Sequence, residues 1–303
     1  MVEELKHTRY VYHYTSIDTL FAILEHYRKD KNKNSLIFRA SNIYNLNDPK
    51  EMEAGYNAVK SFLNEYEKEK IPQTYWWLYE ISCKKENEIK CKEDYMVGRK
   101  GYLIGTGIVP YTVSFSARRD YLPMWSLYGK TGKGVCLKFD AYKMIEKGLD
   151  AQVGFVAYDM KSKKRTMQEV ISDGYKLYMD SYKNKLEKLS TDNKIKELAT
   201  ICLYVSPFIK YKDYKYEKEF RLVYYDYYSY DNNELDINPY SLSLPHHELK
   251  PYIEVPISSN SLKEIIIGPS MDKDSIIEII RREIKACNLD VKVSKSKVPF
   301  RIK

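Results

Sequence analysis

The apolar residues of this chain are gathered into short runs closed off by Gly, Pro, Asn, Asp and Ser, and this punctuation restricts the fold more than any other feature. YVYHY (10–14), LIFRA (36–40), VPYTVSFS (109–116) and GVCLKF (134–139) read as strands. So do a stretch near 152–158, EFRLVYYDY (219–227), YIEVPI (252–257), LKEIII (262–267) and a late DVKVS. Helical spacing appears at Leu20, Phe21, Ile23, Leu24 and Tyr27, behind a T-x-x-D capping box made by Thr15 and Asp18. Further helices are expected over 50–69, 73–82 and 273–287, over a short segment at 120–128 that Pro123 begins, and over the long Lys-rich stretch 163–209. The strands do not alternate regularly with helices, as a doubly wound parallel sheet requires. The expected fold is therefore α+β, with a mixed or antiparallel sheet core and a helical insertion near 160–209. No repeat, low-complexity linker or composition break divides it, so residues 1–303 are expected to form a single domain.

Composition narrows the setting. No apolar run approaches the roughly 20 residues of a membrane span, and the opening MVEELKHTRYVYHY has no apolar leader segment, so neither membrane nor secretion is expected. The five cysteines, Cys83, Cys91, Cys136, Cys202 and Cys287, include no C-x-x-C pair. That argues against a disulfide framework or a zinc site and fits a reducing cytoplasm. Lys+Arg 50 against Asp+Glu 42 gives +8, which favours polyanions but is spread along the whole chain. The 30 tyrosines accompany abundant Lys, Asn and Ile, a composition bias that needs no functional explanation. Tyrosine nonetheless stacks on bases and nicotinamide rings. The His246–His247 pair follows Pro245 in a polar loop and reads as solvent-facing.

Four constellations could carry chemistry. HYTS (13–16) places His13 where a strand runs into a helix, a position suited to ribose hydroxyls or phosphate; a backbone-satisfied His is the structural alternative. LNDPKE (46–51) clusters Asn47, Asp48 and Glu51 at a helix start, with Asp48 as N-cap, Pro49 at N1 and Glu51 at N3, or with the two acids as a carboxylate pair for metal or substrate. SFS (114–116) puts Ser114 and Ser116 on one strand face, and MWSLYG (124–129) puts Trp125 and Tyr128 on one helix face. Together they suit a planar ring that is both stacked and hydrogen-bonded, although Trp125 could equally be core. YEKEFRLVY (216–224) sets Glu217, Glu219 and Arg221 on one face of a strand and Phe220 and Leu222 on the other. Either this is an exposed ion-pair strip, or a glutamate tuned by Arg221 stabilises a developing cation.

Taken in order, HYTS, LNDPKE, SFS with MWSLYG and GVCLKF, EKEFRLV, IIIGP (265–269) and a closing PFR (299–301) resemble a large bacterial family known only as a domain of unknown function. Its members often lie near phage-defence and abortive-infection genes. More distantly the chain is similar to ADP-ribosyltransferases, in which a His holds the NAD ribose, an aromatic residue stacks on nicotinamide and a Glu supports the cationic transition state. This resemblance implies His13, with Tyr14 and Thr15 beside it, at the first position. It implies Ser114 or Ser116 with Trp125 and Tyr128 in the second region, and Glu219 or Glu217, with Arg221, at the last. The E-x-E form resembles the arginine-modifying and toxin branches, where the second Glu is catalytic. The implied substrate is NAD, and the implied acceptor is a protein or nucleic acid, with a defence-system partner.

The residue types suit that chemistry. Breaking a nicotinamide–ribose bond passes through an oxocarbenium-like state, which needs one placed carboxylate, an aromatic surface and hydrogen bonds to the ribose, and no metal. Two other functions use the same residues differently. A metal-dependent nuclease would draw on Asp48, Glu51, Glu217 and Glu219. A non-catalytic sensor would dock a partner on the 163–209 helices.

Overall fold

The structure is a computed structural model. It describes residues 8–30, 34–48, 52–55, 57–58, 108–145, 151–158, 204–227, 241–243, 248–250, 252–271 and 274–300. The strands are β1 (Tyr10–Thr15), β2 (Ser35–Asn42), β3 (Ile108–Ser116), β4 (Val135–Asp140), β5 (Gln152–Phe155), β6 (Glu219–Tyr227), β7 (Ser241–Ser243), β8 (Glu248–Lys250), β9 (Tyr252–Ser258), β10 (Leu262–Ile267) and β11 (Lys292–Lys295). The helices are α1 (Ile17–Lys29), α2 (Leu122–Leu127), α3 (Ala141–Ile145) and α4 (Asp274–Ala286). The expected strands are present, two of them with the expected bounds, and the architecture is α+β around a mixed sheet. The expected helix over 73–82, residues 163–203 of the expected helical stretch 163–209, most of 50–69, and His246–His247 lie outside the described residues, and the described end of that stretch holds a 3-10 turn at Ser206–Phe208. No helix among the described residues is long and apolar enough to cross a membrane.

Nine strands form one sheet in the order β11-β10-β4-β1-β3-β2-β9, with β6 on the remaining edge of β3 and β5 beyond it. β10 and β11 are parallel, and the other pairs are antiparallel. The decisive feature is β3. Along one edge it pairs with β6 through its full length, from Ile108↔Tyr227 to Ser116↔Glu219. The other edge is shared. β2 takes its start, at Ser41↔Thr112 and Asn42↔Tyr111, and β1 takes only its end, at Tyr12↔Ser116. Two arms, β1-β4-β10-β11 and β2-β9, thus diverge from β3, and residues 113–115 lie between them without a strand neighbour on that edge.

One sheet face buries the main core. α1 contributes Leu20, Ile23, Leu24 and Tyr27, an i, i+3, i+4, i+7 stripe, and α4 contributes Ile277, Ile280 and Ile284. They close over Val11, Phe38, Phe115, Leu137, Phe139, Phe220 and Ile265. The cap of α1 differs from expectation. Ser16, not Thr15, is the N-cap, accepting from the Thr19 amide at 3.0 Å, because Thr15 is still paired to Val135 in β1. On the opposite face Trp125 packs with Tyr12, Tyr14, Met124, Cys136 and Ile266.

The turn from α2 into β4 brings backbones into contact. Gly134 accepts no side chain there, because a Cβ would collide with the Thr15 carbonyl, while its amide bonds the Gly129 carbonyl at 2.8 Å. Gly134→Ala is expected to cost about 2 kcal/mol. A thermal melt would measure the loss, and an unchanged midpoint would contradict the close approach.

Candidate functional site at the split of the sheet

Where β1 and β2 part from β3, a cavity of about 290 Å³ opens. It lies near the small end of the roughly 300–1,000 Å³ range of ligand pockets. His13, Ser114, Tyr128, Glu217, Glu219 and Arg221 all line it, although they come from four separate stretches of sequence.

His13 replaces the missing strand. Its Nδ1 lies 2.9 Å from the Ser114 carbonyl, in the segment of β3 that no strand pairs on this edge. A carbonyl only accepts, so Nδ1 carries the proton and Nε2 presents a lone pair. The ring packs edge-on to Phe38 and tilted against Phe115, with centroids at 5.3 and 5.5 Å. Burial lowers the His13 pKa below its usual 6.5, against a smaller upward pull from Ser114. The sign follows directly. The unfolded imidazole takes up a proton near pH 6.5 before the folded one does, so this group's contribution to stability is present above 6.5 and is lost as pH falls through the folded value. His13→Asn retains a donor for the Ser114 carbonyl and cannot titrate. The stability margin of wild type over this variant should shrink on acidification below about pH 6.5. Melts across pH 4–8 would show it, and a constant margin would contradict the neutral assignment.

The acidic residues are not an exposed strip. Glu217, Glu219 and Arg221 are 2%, 6% and 0% exposed. Nor do all three share a strand. Glu217 ends a 3-10 helix, Lys212–Glu217, and Lys218 then turns in the left-handed region (φ 44, ψ 56) before β6 begins at Glu219. That single reversal sends Glu217 to the same hollow as Glu219.

Arg221 grips Glu219 with two prongs, Nε to Oε1 at 2.7 Å and Nη2 to Oε2 at 2.8 Å, while Nη1 donates to the Pro207 carbonyl at 2.6 Å. Burial pulls the Arg221 pKa down to about 9, still above neutrality, so the guanidinium stays charged. Lys210 then bridges the two acids, donating to Glu217 Oε2 at 2.9 Å and Glu219 Oε2 at 3.2 Å, with its ammonium 4.5 Å from the Tyr214 ring centre. Desolvation, the largest single influence, lowers the Lys210 pKa, but the two carboxylates together outweigh it and hold the pKa above the usual lysine value. Tyr128 donates its hydroxyl to Glu217 Oε1 at 2.6 Å. Desolvation raises the Glu219 pKa, with Lys210 opposing. Asp48, 5% exposed, also lines the cavity and acts electrostatically on Arg221. The buried groups, Asp48, Glu217 and Glu219 against Lys210 and Arg221, carry a formal charge of −1, and the exposed Arg39 brings the whole lining to zero.

Other expected site residues are placed differently. Trp125 does not line the cavity. Its ring is fully buried, 5.0 Å from Tyr14 edge-to-face, and its indole N–H donates to Asp120 at 2.8 Å, so it is a core residue and no platform for a ligand. Thr15 does not line it either. Ser116 and Tyr14 border the cavity with their hydroxyls committed to the fold. Ser116 donates to the Glu217 carbonyl and accepts from the Arg118 amide, while Tyr14 donates to the Arg118 carbonyl at 2.7 Å and accepts from the Tyr121 amide at 3.0 Å. The expected N-cap role of Asp48 involves Pro49 and Glu51, which lie outside the described residues.

Lys210, Arg39 and Thr112 also line the cavity and were not distinguished by sequence. Lys210 sits in a Lys- and Tyr-rich run that reads as solvated surface, and only its salt bridges mark it. Among the described residues, no group of three or more His, Cys, Asp or Glu is arranged to hold a metal ion.

Residues 124–222 match the profile of a family described as a protein of unknown function (DUF2971). The matched span holds Tyr128, Lys210, Glu217, Glu219 and Arg221, while His13 and Ser114 precede it. No curated protein and no solved structure matches the chain.

Proposed function

We propose that this protein consumes NAD as an ADP-ribosyltransferase-like effector, with a protein or nucleic acid as acceptor and a role in toxicity or anti-phage defence. One observation carries the reading: His13, Ser114, Tyr128 and Glu219 converge on a single cavity of net negative interior. A pyridinium ring is the cationic end of NAD, and an oxocarbenium ion is what its departure leaves. Both suit the buried part of the pocket, where Asp48, Glu217 and Glu219 outnumber Lys210 and Arg221.

In this reading nicotinamide enters toward Tyr128, and the ribose lies between His13 and Glu219. His13 Nε2 accepts from a ribose hydroxyl. Glu219, fixed by Arg221 and Lys210, holds its charge beside the anomeric carbon. As the C1′–N bond breaks, its electron pair passes to the ring nitrogen and nicotinamide leaves neutral. The Glu219 carboxylate offsets the positive charge on the sugar until the acceptor's nucleophile bonds C1′ and loses its proton to water. Glu217 takes a positioning role, held by Tyr128 and Lys210. The rigidity of this set lowers the reorganisation needed at the transition state.

Nothing favours the nuclease alternative, because Lys210 and Arg221 already occupy the oxygens of Glu217 and Glu219 where a cation would bind. The docking alternative concerns residues 163–209, of which 163–203 lie outside the described residues. The test is incubation of the purified protein with NAD, following nicotinamide release with and without cell-extract acceptors. No release, and no labelled ADP-ribose on protein or nucleic acid, would sink the proposal.

A further inference from the structure

We infer that the open end of the cavity, where Arg39, Ser41 and Thr112 share one face of β2 and β3, holds a phosphoryl group, so that the ligand class is a nucleotide and not a free nucleoside. The inference deepens the reading above and rests on it for what the phosphate is attached to.

Three observations converge. The first is Arg39. It lines the cavity, it is exposed, and among the described residues no carboxylate pairs with it. Glu254 stands opposite it in the β2–β9 register, yet the guanidinium lies instead over the Tyr252 ring, 4.6 Å from its centre. An arginine stacked on an aromatic ring is pre-organised, and its planar fork matches a phosphate. Every other cation lining this cavity is bound to a carboxylate.

The second is Thr112. It is 3% exposed, it lines the cavity, and its hydroxyl has no hydrogen-bond partner. A buried hydroxyl without a partner is costly to leave so. A ligand oxygen reaching it would remove that cost.

The third is their alignment. Ser41 and Thr112 are directly opposite in the β2–β3 ladder, so their side chains share a face. Arg39 is two residues along β2 on that same face. Ser114, which lines the cavity with Glu219, is two residues along β3, about 7 Å from Thr112. The path therefore runs across the strands, from Glu219 on β6 over Ser114 and Thr112 on β3 to Arg39, level with Ser114, and Ser41 on β2. It passes from a negative interior to a positive rim, which fits a ligand with a cationic head and an anionic tail.

The test is calorimetric binding of ADP-ribose, nicotinamide mononucleotide and nicotinamide riboside to the full chain, with Arg39→Met and Thr112→Val. Both substitutions are expected to fold, since one side chain is exposed and the other change is close to isosteric. Arg39→Met should weaken the two phosphorylated ligands by about 10- to 100-fold and leave the riboside unchanged. Thr112→Val should weaken them several-fold without lowering the melting midpoint. Equal binding of the phosphorylated ligands to wild type and Arg39→Met, or equal losses for riboside and phosphorylated ligands, would overturn the inference, as would no binding of ADP-ribose to wild type. ADP-ribose binding that depends on Arg39 in a protein that releases no nicotinamide would leave this subsite standing and remove the proposed reaction. Nicotinamide release that ignores Arg39→Met would do the reverse.

Discussion

Glu219→Gln should abolish nicotinamide release from NAD while leaving NAD binding within a few-fold of wild type. The carboxylate's negative charge opposes positive charge that appears only as the bond breaks, so its loss raises the barrier without weakening the ground state. Removing one such stabilising group costs about 10²- to 10³-fold in kcat. The substitution also disturbs a buried pair. The new amide can accept from Arg221 Nε with its oxygen, but its nitrogen then meets Arg221 Nη2, donor against donor, where the carboxylate oxygen now accepts at 2.8 Å. Activity must therefore be compared with a melt and an NAD titration on the same preparation. If folded Glu219→Gln still cleaves NAD at the wild-type rate and Glu217→Gln does not, the two acids exchange roles. If both variants retain the rate, the carboxylate mechanism is wrong.

Lys210→Met should destabilise the fold itself. Lys210 is 5% exposed and bridges Glu217 and Glu219, so its removal leaves two neighbouring buried carboxylates with Arg221 alone between them in the charge balance. Breaking a buried ion pair by deleting one partner costs about 3–5 kcal/mol, which for a chain of this size lowers the melting midpoint by on the order of 10 °C. The rescue is specific. Glu217→Gln added to Lys210→Met removes the extra charge and should recover part of the loss, a coupling of about 1–3 kcal/mol. The pH dependence has a definite sign. Without Lys210 the folded Glu219 pKa rises further above the unfolded carboxylate value. The penalty is then absent below about pH 4.5 and grows as pH rises through the folded value. The deficit against wild type should be largest at neutral pH and smallest in acid. A variant that melts like wild type at pH 7 would show that the bridge carries no net energy.

The local elements were legible because they follow from periodicity. The strand bounds 219–227 and 262–267 agree between sequence and structure, and α1 buries Leu20, Ile23, Leu24 and Tyr27 of the residues its spacing selects, with Phe21 half-buried. These segments read well because alternation and the 3.6-residue repeat depend on one element and one buried face. Trp125 was open between platform and core on the same grounds. Its spacing from Tyr128 says which residues share a face, and only the packing of Tyr14 and Cys136 against it says that the face is closed. Ser16 displaced Thr15 as the cap because β1 pairs through Thr15 with β4, a contact between residues far apart in sequence. Glu217 left the strand because Lys218 adopts a left-handed conformation, which its residue type does not announce.

The site itself divides the same way. Residue types suited to a sugar and a cation, His13, Ser114, Tyr128 and the E-x-E acids, stand in the sequence and select a chemistry, because imidazole, hydroxyl and carboxylate groups have fixed capacities wherever they lie. Their meeting was decided by the tertiary structure alone. β1 touches β3 at one residue pair, and β2 at two, so an unpaired edge of β3 remains, and a cavity forms there. Lys210 and Arg39 gain their meaning from that gap. One is buried against two acids, and the other lies over Tyr252 at the rim with no carboxylate partner among the described residues, although in the sequence both are ordinary basic residues. A side chain's charge is written locally, but its burial and its partners are set by strands that pair across a hundred residues of chain, and those two quantities determine what the charge can do.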